Sequence, residues 1–396
     1  MRILMWLSIG LDRRTPSEHL LTAIVEALYE KGHTVHILQK SSGGDKPSLP
    51  ENMARLGVTT TCVSQNQAGK SNFVGRYMAD LQYVMKCRKY LKTLEFDRIF
   101  MQSSNVAGVQ TATLRQLHRN VPLTFNVQDI FPENAVYSHT MKKNSMPYRV
   151  LSAIQKKAYR DADRIITISE DMKDQLLELG VDEDKISVIY NWSYQDEVYD
   201  PEKTTSEVVE RLMPGDDFKV VYAGNIGLMQ NVEIVLEAAA KMKNEPRIRF
   251  YIFGDGLYRK KLEARAQELE LQNVEFHDML PAELAPALYC KADVNLIPLA
   301  ENIYRTALPS KTATCLACQK PIILAIGAKS KFAHALSEET KCKVTNSNDA
   351  EGMARAILSV YSSEKKDLSG KEIFSQAFQM STNSAAYAQI IARNRG

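Results

Sequence analysis

No apolar run in the 396 residues approaches the ~20 consecutive residues that a membrane-crossing helix needs. The opening MRILMWLSIG is too short and leads into DRRTP rather than a cleavage site, so the chain reads as soluble or peripheral, and cytoplasmic by default. A dominant sign of charge is missing too: 50 Lys and Arg face 47 Asp and Glu, a formal net charge of +3, which argues against a nucleic-acid protein. The balance is uneven along the chain, 25 basic against 20 acidic up to Ser193 and 25 against 27 afterwards, so only the first half favours an anionic surface. The six cysteines lack the paired spacings of a disulfide framework. Cys315-x-x-Cys318 supplies two of the four ligands a structural zinc requires. Cys290 and Cys342 are isolated, and His277 and His334 do not complete a finger-like set. At i and i+3 the pair shares one helix face, and it reads as reduced thiols used in packing. A Gly-x-Gly-x-x-Gly fingerprint is also absent after the first strand, where LSIGLDRRTP has one glycine, which weakens a nicotinamide-binding reading.

What is present is an alternation of short apolar runs with amphipathic segments. RILMWLSIG reads as a buried strand, Thr15-Pro16-Ser17-Glu18 as a capping box, Leu20 to Leu28 as a helix ended by Gly32, and Thr34 to Leu38 as the next strand. Further strands are expected at Arg98–Gln102, Leu123–Val127, Arg164–Ile168 and Ile186–Tyr190. A polar stretch with two prolines follows, and a second series opens at Lys219–Ala223. It continues through Arg249–Phe253, Val274–His277, Val294–Pro298 and Pro321–Ala325. The expected fold class is α/β, with two Rossmann-like domains facing each other across a cleft: residues 1–193, a linker at 194–216, a second domain at 217–374, and a last helix in 375–396 crossing back to the first.

Three turns of the second half suit an anion. Gly224-Asn225-Ile226-Gly227 and Gly254-Asp255-Gly256 each follow a strand, where glycine lets backbone N–H groups approach a ligand. Leu308-Pro309-Ser310-Lys311 precedes a helix that Ser310 can cap and beside which Lys311 adds positive charge. Each alone also reads as an ordinary turn or a solvated lysine.

The order and spacing of ADRIITISEDMKDQLLELGVDEDKISVIYNW, VVYAGNIGLMQNVEIVLEAA, FYIFGDGLYRKKLEARAQELELQNVEFHDMLP, LYCKADVNLIPL and PSKTATCLACQKPII resemble the retaining glycosyltransferases of family 4, over roughly Met1 to Ser375. Gly224–Gly227 with Gln230, the run Gln128-Asp129-Ile130-Phe131-Pro132-Glu133, and Pro309-Ser310-Lys311 look like the branch that transfers N-acetylated amino sugars, fucosamine-type among them, in O-antigen and capsule assembly. The resemblance implies a GT-B fold, a UDP-sugar donor held mainly by the second domain, a hexosyl transfer with retention, and no cofactor or required metal. Gly224, Asn225, Gly227, Gly254, Asp255, Gly256, His277, Arg305, Pro309, Ser310 and Lys311 are then the donor-side candidates. Gly10, Arg13, Gln128 and Asp129 are the acceptor-side ones. Departures accompany the matches. The Arg and Lys that many members place for the diphosphate are Asn225 and Gln230 here, the paired glutamates are Thr306 and Thr314, and the acceptor-side histidine is Gln128.

A departing nucleoside diphosphate needs a fixed cation, for which Lys311 is the first choice and Arg305 the second. Without a carboxylate pair, front-side displacement is favoured. Asp129 and Glu133 either bind substrate hydroxyls, with Asp129 assisting as a base, or serve as a helix cap and a solvated charge. In the first half, Lys70, Arg76, Lys86, Arg88, Lys89 and Lys92 are interleaved with Phe73, Tyr77, Leu81, Val84 and Met85, and Lys142, Lys143, Arg149, Lys156 and Lys157 follow. This is either a solvated face or a surface for anionic lipid at the inner face of the plasma membrane. On the second reading the acceptor is an undecaprenyl-diphosphate-linked glycan. A nucleotide-sugar epimerase of the same architecture, and a non-catalytic partner of another transferase, are the alternatives.

Overall fold

In the computed structural model, which describes residues 1–11, 18–41, 49–64, 73–340, 342–363 and 371–394, thirteen strands are found among the described residues, in two parallel sheets. The first contains β1 (Arg2–Trp6), β2 (Thr34–Ser41), β3 (Thr59–Ser64), β4 (Arg98–Gln102), β5 (Leu123–Val127), β6 (Arg164–Thr167) and β7 (Ile186–Val188), in the order β3-β2-β1-β4-β5-β6-β7. The second contains β8 (Phe218–Ala223), β9 (Ile248–Phe253), β10 (Val274–His277), β11 (Val294–Pro298), β12 (Ile322–Ala325) and β13 (Lys343–Thr345), in the order β10-β9-β8-β11-β12-β13. Central strands such as LTFNV and VNLIP are buried at every position, as parallel strands covered by helices on both faces must be. Each sheet reverses its strand order beside its first strand, the doubly wound arrangement whose ligand edge is the carboxyl end of the strands.

Two strands lie outside the sequence expectation, β3 and β13. Both are edge strands: TTTCVS is polar and mostly part-exposed, and KVT has three residues, so neither carries an apolar run. The capping box lies mostly outside the described residues, as do Arg13 and Lys70.

The chain divides into two compact units, Met1–Tyr190 together with the chain from Met380 on, and Asn191–Gln379. Within the first unit, right-handed crossovers put the Glu18–Glu30 helix on one face of the sheet and the Phe73–Leu91, Ala107–Leu117 and Met146–Asp161 helices on the other. The Met380–Ala392 helix packs against Glu18–Glu30, β4 and β5, where Tyr387 is buried and donates its hydroxyl to Asn126 Oδ1 at 3.0 Å. Ser375, placed with the returning helix by sequence, sits instead in a separate Lys371–Ala377 helix of the second unit. The expected linker 194–216 holds a helix, Glu207–Leu212, and Val209 and Met213 pack with Val221, Tyr251 and Phe253 in the second unit's core. Polar composition hid those two anchors.

Candidate active site

The carboxyl edge of the second sheet is built from two interlocked turns. After β8, Gly224 adopts φ +146°, and its N–H donates to Phe253 O at 2.9 Å. Ile226 N–H donates to Asp255 O at 2.9 Å, Tyr258 N–H to Ile226 O at 3.1 Å, and Gly254 N–H to His277 O at 3.1 Å. A Cβ on Gly254 would lie 2.0 Å from Gly224 O. Glycine is therefore required by the approach of one turn to the other. This corrects the expectation that the glycines free their amides for a ligand, because the N–H groups of Gly224, Gly254 and Gly256, the last bonded to Asp255 Oδ1 at 2.7 Å, are already used. Among the described residues the amides of Asn225 and Gly227 lack such a partner.

Lys311 supplies the cation. Its Nζ lies 3.9 Å from the Tyr222 ring centroid and would stand 3.0 Å from a Cβ on Gly224, which places it at the mouth of the first turn. Tyr222 is held by its own hydroxyl, which donates to Asn225 O at 2.6 Å, so ring, turn and ammonium form one unit. No carboxylate pairs with Lys311 among the described residues, and desolvation lowers it to about 8. Ser310 does not cap the helix Lys311–Ala317: it is exposed, has helical dihedrals and makes no capping bond, while Thr312 donates to Pro309 O at 2.8 Å. Arg305 closes a short turn, Ile303–Arg305, and is half-buried.

Beside the second turn Arg259 Nη1 donates to Gly254 O at 2.8 Å and pairs with Asp278 Oδ1 at 2.7 Å, whereas the side chains of the first turn are uncharged. Asn225 Nδ2 donates to Gln230 Oε1 at 3.2 Å, so the two residues at the usual diphosphate positions bond to each other. Thr306 is buried and spends its hydroxyl on Ile303 O at 3.0 Å; Thr314 is buried as well. His277 lies with its ring nearly parallel to Phe253 at 4.7 Å and to Tyr251 at 6.0 Å. Desolvation lowers its pKa, and its buried Nε2 has no hydrogen-bond partner among the described residues, lying 3.7 Å from Glu275 Oε2. Cys315 and Cys318 are both fully buried; burial raises the Cys315 thiol to about 12, and Cys318 Sγ sits 3.5 Å from Pro286 O, consistent with packing.

In the first unit the acceptor candidates also lie at the carboxyl edge. Gln128 follows β5; its N–H donates to Ser103 Oγ at 3.2 Å and its Nε2 to Asn126 Oδ1 at 3.1 Å and Tyr387 Oη at 3.4 Å. Asp129 has an exposed side chain in crowded surroundings, and desolvation raises its carboxyl to about 6. Glu133 differs: it is buried, accepts from Tyr148 Oη at 3.0 Å, and has its pKa raised by desolvation, so here it braces a turn rather than standing open to a substrate. Gly10 is half-buried next to Leu11, whose N–H donates to Gln39 Oε1 at 2.6 Å. Tyr222 and Tyr387, which hold the two edges, were missed by sequence reasoning because each sits inside an otherwise ordinary strand or helix pattern.

The apolar residues of the basic helices split. Val84 is buried, whereas Val74, Met78 and Met85 are 69, 51 and 66% exposed, and Met146 and Val150 on the 146–161 helix are 72 and 51% exposed. Both helices flank the 107–117 helix on one face of the sheet. No helix among the described residues is long and apolar enough to cross a membrane.

Comparison with known proteins accords with these edges. Residues 17–192 match the model of Glycosyltransferase Family 4, and residues 204–372 that of Glycosyl transferases group 1. The chain is 28% identical over 246 residues to the probable glycosyltransferase WbjE of Pseudomonas aeruginosa, and 30% identical over 174 residues to the putative colanic acid biosynthesis glycosyl transferase WcaI of Escherichia coli K12. These matches cover 62 and 43% of this chain and span 61 and 42% of the lengths of those relatives. Among solved structures, Anabaena Alr3699/HepE in complex with UDP and glucose superposes with a TM-score of 0.73 at 19% identity, covering 98% of each chain, which identifies the fold as GT-B. The chain belongs to the glycosyltransferases that join a family 4 domain to a group 1 domain.

Proposed function

We propose that the protein is a retaining hexosyltransferase that moves a sugar, of the N-acetylated amino type, from a UDP-sugar to an undecaprenyl-diphosphate-linked glycan in bacterial surface polysaccharide assembly. The observation that carries this reading is the Lys311–Tyr222–Gly224 unit: one unpaired cation, partly stripped of water, beside two free backbone amides at the ligand edge of the second sheet. Desolvation of an unpaired ammonium is unfavourable unless a ligand supplies the opposite charge, and a diphosphate does so. The names of WbjE, WcaI and HepE point the same way, to glycosyl transfer, colanic acid and UDP.

In the proposed reaction the bond from the sugar C1 to the β-phosphate oxygen breaks, and its electron pair stays on the phosphate, where Lys311 and the Asn225 and Gly227 amides stabilise the charge. The acceptor hydroxyl oxygen bonds to C1 from the same face, and its proton passes to the departing phosphate, with Asp129 orienting or assisting that hydroxyl. No metal or cofactor takes part. The exposed Val74, Met78, Met85, Met146 and Val150, set among basic residues, support contact with an anionic membrane surface, where a lipid-linked acceptor resides.

Calorimetric titration with UDP, GDP and ADP in EDTA, on wild type and Lys311→Ala, tests the donor site. Tight UDP binding that weakens in the variant is expected. Failure of every nucleotide would leave the non-catalytic partner as the better reading, and conversion of a UDP-sugar without any acceptor would favour the epimerase.

A further inference from the structure

A cavity with a basic lining lies in the first unit, away from the strand edge that carries Asp129. The helix Met146–Asp161 ends just before β6 begins, so its carboxyl end lies at the amino edge of the sheet, opposite to Gln128 and Asp129. There the cavity, of about 340 Å³, opens between this helix and the end of the Glu170–Glu178 helix, lined by Ala153, Lys156, Tyr159, Arg160, Gly180 and Lys185 with Asp182 at its rim.

The charges around it are unbalanced. Lys157, on the neighbouring face of the helix, pairs with Asp161 at 2.9 Å, whereas Lys156 and Arg160 make no ion pair among the described residues, Lys156 acting on the Glu133 carboxylate only through its charge. They stand at i and i+4, where like charges oppose helix formation. Lys185 arrives from a different element, donates to Arg160 O at 3.4 Å and, among the described residues, pairs with Asp182 alone, at 3.8 Å, a carboxylate 78% exposed. The end of the Glu170–Glu178 helix does not need these cations as caps, since the Gln175, Leu176 and Leu177 carbonyls already accept from Leu179, Val181 and Gly180, whereas Lys185 reaches the last turn of the Met146–Asp161 helix through Arg160 O. Against these three cations stand Asp182, which is largely exposed, and Glu133, whose carboxylate Lys156 reaches electrostatically without an ion pair, so net positive charge is left round a space larger than a single phosphate group.

We propose that this cavity binds the phosphomonoester end of a small molecule or lipid headgroup. A phosphomonoester complements the net positive charge, and its three terminal oxygens can each meet one of Lys156, Arg160 and Lys185; the remaining volume takes the substituent. The site is independent of the donor reading.

The test is calorimetric titration of the full chain with inorganic phosphate, glucose 6-phosphate and glycerol 3-phosphate, in parallel with flotation on phosphatidylcholine vesicles containing either phosphatidic acid, a monoester, or phosphatidylglycerol, a diester. Wild type is compared with Lys156→Ala/Arg160→Ala, with Lys185→Ala and, as a control for diffuse charge, with Lys142→Ala/Lys143→Ala; circular dichroism checks that each is folded. Binding of a soluble monoester, or selective binding of phosphatidic acid over phosphatidylglycerol, that falls at least about tenfold in the cavity variants and not in the control is expected; the arm that responds names the source. No monoester binding in either arm, binding undiminished in the cavity variants, or equal loss in the control overturns the site.

Discussion

Raising the pH from 7 to 9 is expected to weaken UDP binding about tenfold through Lys311 alone. Its Nζ, over the Tyr222 ring and without a carboxylate partner, is lowered to about 8. The charged fraction in the free protein then falls from about nine tenths at pH 7 to about one tenth at pH 9, and only the charged form binds phosphate well. The terminal phosphate, with its second pKa near ~6, is already mostly ionised at pH 7, and the uracil N3–H, which begins to ionise towards pH 9, acts equally on wild type and Lys311→Met, so the difference between the two isolates the lysine. The assay is calorimetry at pH 7, 8 and 9 in two buffers of different ionisation enthalpy, which also counts the protons taken up; uptake should approach one per UDP at pH 9. An affinity that is flat to pH 9.5, as for a lysine at the ordinary ~10.4, refutes the argument. So does a decline as large as the wild type's in Lys311→Met, which should bind UDP about 10- to 100-fold more weakly than wild type at pH 7. Stability runs the other way. Between about 8 and the ordinary lysine value the unfolded chain holds a proton that the folded protein has released, so this group's contribution to stability rises with pH in that window and is lost as pH falls through about 8. Lys311→Met relieves the desolvation at pH 7, and the nucleotide-free variant should melt above wild type.

Three further outcomes are expected. Gly254→Ala places a methyl 2.0 Å from Gly224 O, a backbone atom that cannot swing aside, and should lower the urea midpoint by the equivalent of about 1–3 kcal/mol or more while weakening UDP binding; a wild-type midpoint refutes the nesting of the two turns. Asp129→Asn should leave UDP affinity unchanged and lower transfer about 10²-fold or more, and wild-type turnover should rise with pH through about 6 as the carboxyl ionises, a limb missing from the variant; an unchanged profile assigns the limb elsewhere. Cys315→Ala with Cys318→Ala should cost about 1–2 kcal/mol in packing and spare UDP binding; loss of binding without loss of stability would return the Cys-x-x-Cys to the functional residues.

The strands could be read in advance where they are buried on both faces. Leu123–Val127 and Val294–Pro298 fall where their apolar runs lie, because a central parallel strand has to be apolar throughout. Thr59–Ser64 and Lys343–Thr345 could not be read, since an edge strand needs only backbone pairing on one side. The Glu207–Leu212 helix escaped for a related reason: two anchors in a polar stretch are too few to show a period.

At the site, sequence alone named Lys311 and the two glycine turns, because cations and glycines have few uses at a strand end. It gave the glycines the wrong task. That the Gly224 and Gly254 amides are spent on Phe253 O and His277 O depends on the ends of the neighbouring strands β8, β9 and β10 meeting, although these residues are distant in sequence. Likewise only the folded chain turns Glu133 inward to Tyr148 while leaving Asp129 exposed, sets Lys311 on Tyr222, and closes Asn225 on Gln230. Composition and periodicity determine which segments must be buried and therefore the two sheets. Which polar groups are already satisfied, and which are left for a ligand, depends on contacts between segments distant in sequence, and those exist only once the chain has folded.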